Sequence, residues 1–174
     1  MRRRTFVLVL AVLAAGLLVT SLAGAGDGKK NLKADELTGY QENPDVSSTG
    51  TGSFEATIDD DAQTITYELS YSGIEGGDAF AAHIHFGKRA VNGGVSAFLC
   101  GGGDKPACPA TEGTVTGVID AADIVGPAGQ GIEAGSFIEL VAAMRAGHSY
   151  ANVHSPRWPG GEIRAQINDR DANN

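Results

Sequence analysis

The chain has 174 residues with 13 basic against 21 acidic side chains, a formal charge of −8. Such a surface repels phosphate backbones and anionic lipid heads, and no basic stripe overrides it, so nucleic acid is excluded as a partner. The length suits one domain with a real core and is too short for two comfortable ones.

The N-terminus reads Met1-Arg2-Arg3-Arg4, an uncharged apolar run from Phe6 to about Val19, then Ser21-Leu22-Ala23-Gly24-Ala25-Gly26. A basic start, an apolar stretch too short for a membrane span and a small-x-small site predict a secretory signal peptide over residues 1–25. Arg3-Arg4-Thr5-Phe6-Val7 also resembles a twin-arginine export signal. Cleavage removes three arginines and leaves 10 basic against 21 acidic residues, a formal −11. The mature protein is expected to be secreted, periplasmic or extracellular, with no membrane attachment after cleavage.

Residues 26–32 read as a flexible lead-in, small and polar. Phe54, Ala56 and Ile58, a turn at Asp59-Asp60-Asp61-Ala62-Gln63, and Ile65, Tyr67, Leu69 and Tyr71 at every second position predict a hairpin with one buried face. Phe80 to Phe86 supplies a strand carrying His83 and His85. Val95, Ala97 and Leu99 form a short strand entering the Cys100–Cys108 loop, and Thr114 to Ile119 is another. Two cysteines in an exported chain, bracketing a small loop, predict a disulfide; a metal pair is the weaker reading because no C-x-x-C spacing is present. Val125 to Gly135 is a loop. Ser136-Phe137-Ile138-Glu139 reads as a capping box opening one short helix that stops at Gly147. Tyr150 to His154, a turn through Pro156-Arg157-Trp158-Pro159-Gly160-Gly161, and Glu162 to Ile167 close the chain as a hairpin, before a disordered tail at 169–174. The expected architecture is all-β, an antiparallel β-sandwich of Greek-key or superoxide-dismutase-like type with one short helix.

Four blocks, in order, resemble the CHRD domain, the module named from chordin and also present as a single-domain secreted form in bacteria. They are Leu37-Thr38-Gly39-Tyr40-Gln41-Glu42-Asn43-Pro44, Ala82-His83-Ile84-His85-Phe86-Gly87, Gly147-His148-Ser149-Tyr150-Ala151-Asn152-Val153-His154-Ser155, and Pro159 to Ile167. The resemblance covers residues 33–168; Ala151 replaces a usual valine and Ala165 a usual glycine. It implies an all-β extracellular domain with no established enzymatic activity. The growth-factor partners of chordin do not transfer, because the cysteine-rich modules that accompany the domain there are missing from this chain.

The H-x-H strand carries the chemistry. Alternate side chains of a strand share a face, so the two imidazoles are expected roughly 6.5–7 Å apart on one side, a spacing one ion bridges. With His154 they make a candidate copper or zinc site; the only other histidine is His148, too few for a binuclear copper–zinc centre. The competing reading is a polar network in which neutral imidazoles bond to Asn152, Glu162 or backbone carbonyls, with Glu162 and Arg164, on one face of the last strand, pairing with a neighbouring strand. Neither a nucleophile nor oxyanion donors accompany the His–Glu pairing, so a hydrolase is disfavoured. The reading is therefore a non-enzymatic module with a structural or binding role and no cofactor, with a mononuclear copper or zinc protein as the alternative. An unknown protein or polysaccharide ligand at the Trp158 turn is a third.

Overall fold

The computed structural model describes residues 29–169. Among the described residues there are eight strands: β1 (Lys29–Thr38), β2 (Thr51–Asp59), β3 (Thr64–Ser72), β4 (Ala81–Phe86), β5 (Gly94–Cys100), β6 (Gly113–Ile119), β7 (Ser149–His154) and β8 (Ile163–Asp169). They form one antiparallel sheet in the order β5-β4-β7-β8-β1-β2-β3-β6. The sheet curls until its two outer strands approach, and the Tyr67 hydroxyl of β3 donates to the Leu99 carbonyl of β5 at 2.6 Å across the join. The result is the all-β antiparallel class expected, as a nearly closed barrel-like sheet with one helix.

Two kinds of strand follow from two kinds of sequence. β2 and β3 alternate, and Phe54, Ala56, Ile58, Ile65, Tyr67 and Leu69 are buried while their neighbours face solvent or are half-buried. β4 and β7 are buried on both faces. One face, with Ala82, Ile84, Ala151 and Val153, joins the hydrophobic interior. The other carries His83, His85, Tyr150, Asn152 and His154 and is roofed by loops, which makes room for a buried polar layer.

The helix α1 (Phe137–Arg145) buries Phe137, Leu140, Val141 and Met144 as its 3.6-residue period predicts. Gly147, at φ +68, ends it in the left-handed conformation that only glycine adopts freely. The expected capping box does not form. Ser136 has φ −78 and ψ 72 and makes no side-chain cap bond, while Phe137 N–H donates to Gly135 O at 2.9 Å. That is an inverse γ-turn, whose ψ turns the serine hydroxyl away from the amides a cap must reach.

The lead-in expected over residues 26–32 is strand from Lys29 onward. Leu32 is fully buried and pairs with both Ala56 of β2 and Asp169 of β8. A register shift between Ala34 and Leu37 breaks the period-two pattern that would have announced β1. The signal peptide expected at 1–25 lies outside the described residues, as does the tail beyond Asp169. Among the described residues no helix is long and apolar enough to cross a membrane.

Cys100 and Cys108 are joined, closing a loop across eight positions. Lys105 pins the same loop through Asp104 and Asp123 at 2.6 and 2.7 Å. On the loop-closure estimate the bridge contributes about 2–3 kcal/mol. Cys100→Ser/Cys108→Ser should therefore unfold at lower urea concentration, with a loss at the lower end of that range because Lys105 still restrains the loop. A double variant as stable as wild type in urea titration would show that the bridge restrains nothing the unfolded chain explores.

Candidate functional site

The register between β4 and β7 sets Ala81 opposite His154, His83 opposite Asn152 and His85 opposite Tyr150; β8 adds Arg164 opposite Asn152 and Gln166 opposite Tyr150. Side chains two apart on a strand share a face, so His83 meets His154 diagonally across the ladder, and His85, opposite Tyr150, reaches it from one step further along. His83 Nδ1 lies 2.9 Å from His154 Nε2, and His85 Nε2 lies 3.4 Å from the same atom. The His83 and His85 ring centroids are 5.3 Å apart, closer than the strand repeat, because both rings lean toward His154. All three residues are more than nine-tenths buried.

Two loops decide where the protons sit. His85 Nδ1 is 2.9 Å from the Gly93 carbonyl, and His154 Nδ1 is 3.1 Å from the Pro159 carbonyl. A carbonyl only accepts, so both Nδ1 atoms carry the hydrogen and both Nε2 atoms present lone pairs. These lone pairs face each other. Burial first, then the neighbouring His154 and His85, lowers the His83 pKa to about 3. Burial and then His85 lower His154 to about 4, against the opposing Pro159 bond. His85 is also lowered, by burial and by Arg164, against the Gly93 bond. At neutral pH the three rings are uncharged.

Three neutral nitrogens within 4.8 Å of one another are a ligand set for a transition metal. Metal–nitrogen bonds of about 2.0–2.1 Å at the tetrahedral angle place two nitrogens about 3.3–3.4 Å apart, and about 2.9 Å apart at a right angle. The two separations to His154 Nε2 fall on these values, while the widest pair of the three, within 4.8 Å, would have to close slightly around an ion. The Nδ1–H bonds to carbonyls are the outer contacts that orient metal-binding imidazoles. Gly93 holds its carbonyl in place by close approach: a Cβ there would lie 1.8 Å from Phe86 O.

The surroundings are aromatic and cationic. Phe98 meets His83 edge-on at 4.6 Å, and Phe80 tilts against His154 at 6.2 Å. Tyr150 stacks flat on His85 at 4.8 Å, and the Arg164 guanidinium lies 4.8 Å from the same tyrosine ring.

The polar residues expected to join the histidines divide into separate groups. Arg164 donates through Nε to Gln41 O at 2.5 Å and through Nη1 to Asn92 Oδ1 at 3.0 Å, and its Nε lies 3.7 Å from Glu42. Burial, outweighing Arg164 and a backbone bond, raises the Glu42 carboxyl to about 7. Asn152 donates to Gly160 O at 3.4 Å. Glu162 does not bond to a histidine. Its carboxylate accepts from Ser48 Oγ at 2.6 Å and from the amides of Glu75 and Gly76 at 2.8 and 3.1 Å, because its position at the mouth of β8 points it under the 73–77 loop. Of the two residues expected to pair with a neighbouring strand, Arg164 does so, opposite Asn152 of β7. Trp158 is half-buried under the Arg157 guanidinium at 4.6 Å, and His148 is exposed, outside the cluster.

Residue type and spacing alone do not point to the Gly93 and Pro159 carbonyls, to Tyr150 as the platform under His85, or to Glu42. The Asn92-Gly93-Gly94 turn was the one local signal that a tight backbone segment closes over the histidine strand.

The family model of the CHRD domain matches residues 34–167. No curated protein and no solved structure matches the chain.

Proposed function

The chain belongs to the CHRD domain family, and from that premise and its histidine geometry we propose a non-enzymatic binding module that holds one copper or zinc ion through His83, His85 and His154. One observation carries the reading: two lone pairs, on His85 Nε2 and His154 Nε2, held 3.4 Å apart by carbonyl-bound Nδ1–H groups. Facing acceptors repel unless a cation lies between them or a donor engages one of them, as a His83 Nδ1–H 2.9 Å from His154 Nε2 would. The Cys100–Cys108 bridge supports an oxidising compartment, outside the cytosol.

A second reading is favoured by the 2.9 Å separation of His83 Nδ1 and His154 Nε2, which also suits a hydrogen bond. In that case the layer is structural and fixes the β4–β7 register without an ion. Metal analysis of the purified protein decides between them. We expect about one equivalent of copper or zinc per chain, as one three-histidine site allows, and its loss in His83→Ala/His85→Ala. Stability is followed alongside: a double variant that melts lower while neither form carries metal supports the structural layer and overturns the metal site.

A further inference from the structure

The charge around the three rings selects among the ions they can bind. All three ligands are neutral, and Glu162, the carboxylate nearest in sequence to His154 on the β7–β8 hairpin, is occupied by Ser48 and two amides. The Glu42 carboxylate is turned to Arg164. No cysteine, aspartate or glutamate joins the three histidines in a ligand cluster among the described residues. Strand order places Tyr150 between His85 and Arg164, so a guanidinium, an aromatic ring and a ligand imidazole follow one another across β8, β7 and β4.

An ion entering this layer leaves water for a dry site two side chains from the Arg164 guanidinium, whose charge the Glu42 carboxyl only partly offsets because burial raises that carboxyl toward its neutral form. The cost of that transfer grows as the square of the ion's charge, and repulsion from Arg164 grows in proportion to it. Coordination number acts in the same direction. Zinc in structural sites takes four protein ligands, whereas the layer offers three, and the Phe98 ring packs T-shaped against His83 at 4.6 Å in place of a further donor there.

We propose that the site takes copper as the monovalent ion, Cu(I), in preference to Zn(II) and Cu(II). The inference rests on the metal-binding reading above and narrows it to a soft monocation held by three imidazoles. It involves no electron transfer by the protein: the ion is bound in the state in which it is supplied.

The test uses the disulfide-intact protein without oxygen, with ascorbate keeping copper reduced while sparing the disulfide. One arm withdraws Cu(I) from its bis-bicinchoninate complex; the others titrate Zn(II) against a pyridylazo-resorcinol indicator and Cu(II) by competition with glycine. The expected result is one equivalent of Cu(I), bound at least about 100-fold more tightly than either divalent ion, the margin a doubled ionic charge in a dry site should produce. Phe98→His, which adds a fourth nitrogen beside His83, should shift the ratio toward Zn(II) by at least about tenfold. Divalent ions bound as tightly as Cu(I), or a Phe98→His ratio unchanged in a folded variant, would overturn the preference and leave the metal site standing. No binding in any arm would overturn both.

Discussion

Acidification from pH 6.5 to pH 4 should cost the metal-free protein about 3 kcal/mol of folding stability, with His83 and His154 responsible for the loss. Both have folded pKa values below the ordinary 6.5, His83 at about 3 and His154 at about 4, so the unfolded chain binds protons that the folded chain refuses. Their contribution is complete above pH 6.5 and disappears as the pH falls toward those folded values. Each contributes a slope of about 1.4 kcal/mol per pH unit in that window. Glu42 acts with the opposite sign. Its pKa rises from 4.5 to about 7 on folding, so the folded state gains protons more readily and stability increases as the pH falls from 7 to 4.5. One rising slope set against two falling ones leaves the net loss stated, and the lowered His85 adds to it in the same direction. Urea titrations at several pH values in the presence of a chelator measure it. In Glu42→Gln the offset disappears and the decline should steepen by about 1.4 kcal/mol per unit between pH 7 and 4.5. A stability that stays flat down to pH 4 in the wild type would contradict the buried neutral state of the rings.

The other large effect should come from Glu162→Ala, at about 3–5 kcal/mol of stability. The carboxylate is fully buried, and its removal strands the Ser48 hydroxyl and the amides of Glu75 and Gly76 without an acceptor. Glu162→Gln keeps the volume but turns an N–H toward groups that themselves donate, so it should recover only part of the loss. Hydrogen exchange at the Glu75 and Gly76 amides should accelerate more than at the β7–β8 ladder, because the 73–77 loop loses its anchor first. Since Glu162 touches none of the three rings, the variant should keep its metal stoichiometry below its melting temperature. A Glu162→Ala protein within 1 kcal/mol of wild type, on the scale of an ordinary surface substitution, would show that water replaces the carboxylate beneath the loop.

The same two regions show how far residues alone revealed this molecule. The β2–β3 hairpin was readable because one of its faces meets solvent, so Ile65, Tyr67, Leu69 and Tyr71 stand out against polar neighbours. β4, β7 and β8 have no wet face, and alternation there marks a change from an apolar layer to a polar one, which the H-x-H spacing exposed and a hydrophobicity pattern would not. β1 escaped notice because a bulge between Ala34 and Leu37 breaks its period and its first residues are polar; its ladder is held by the strands on either side. Ser136 and Glu139 carried a capping-box pattern that the turn at Gly135 overrode through backbone geometry. His83, His85 and His154 were identified by residue type, and the structure brings them together. The assignment of Glu162 to the same group failed because a β-strand's entrance residue follows the loop it leaves: the 73–77 segment, distant in sequence, supplied better donors than any imidazole. Glu42 and Arg164 lie 122 positions apart, and only the closure of the 39–48 segment over β8 makes them neighbours.

The hydrogens of two of the three imidazoles are oriented by carbonyl groups, one from Gly93 and one from Pro159, and a carbonyl survives every side-chain replacement. Truncation scanning of this domain would thus report three rings and overlook the groups that aim them. Retuning affinity would have to proceed by reshaping the turns, for example Gly93→Ala, whose added methyl must push the segment off Phe86. The two hairpin connections act as adjustable jaws around a fixed set of ligands, so loop length and turn type, the most freely varying parts of a β-domain, set the grip.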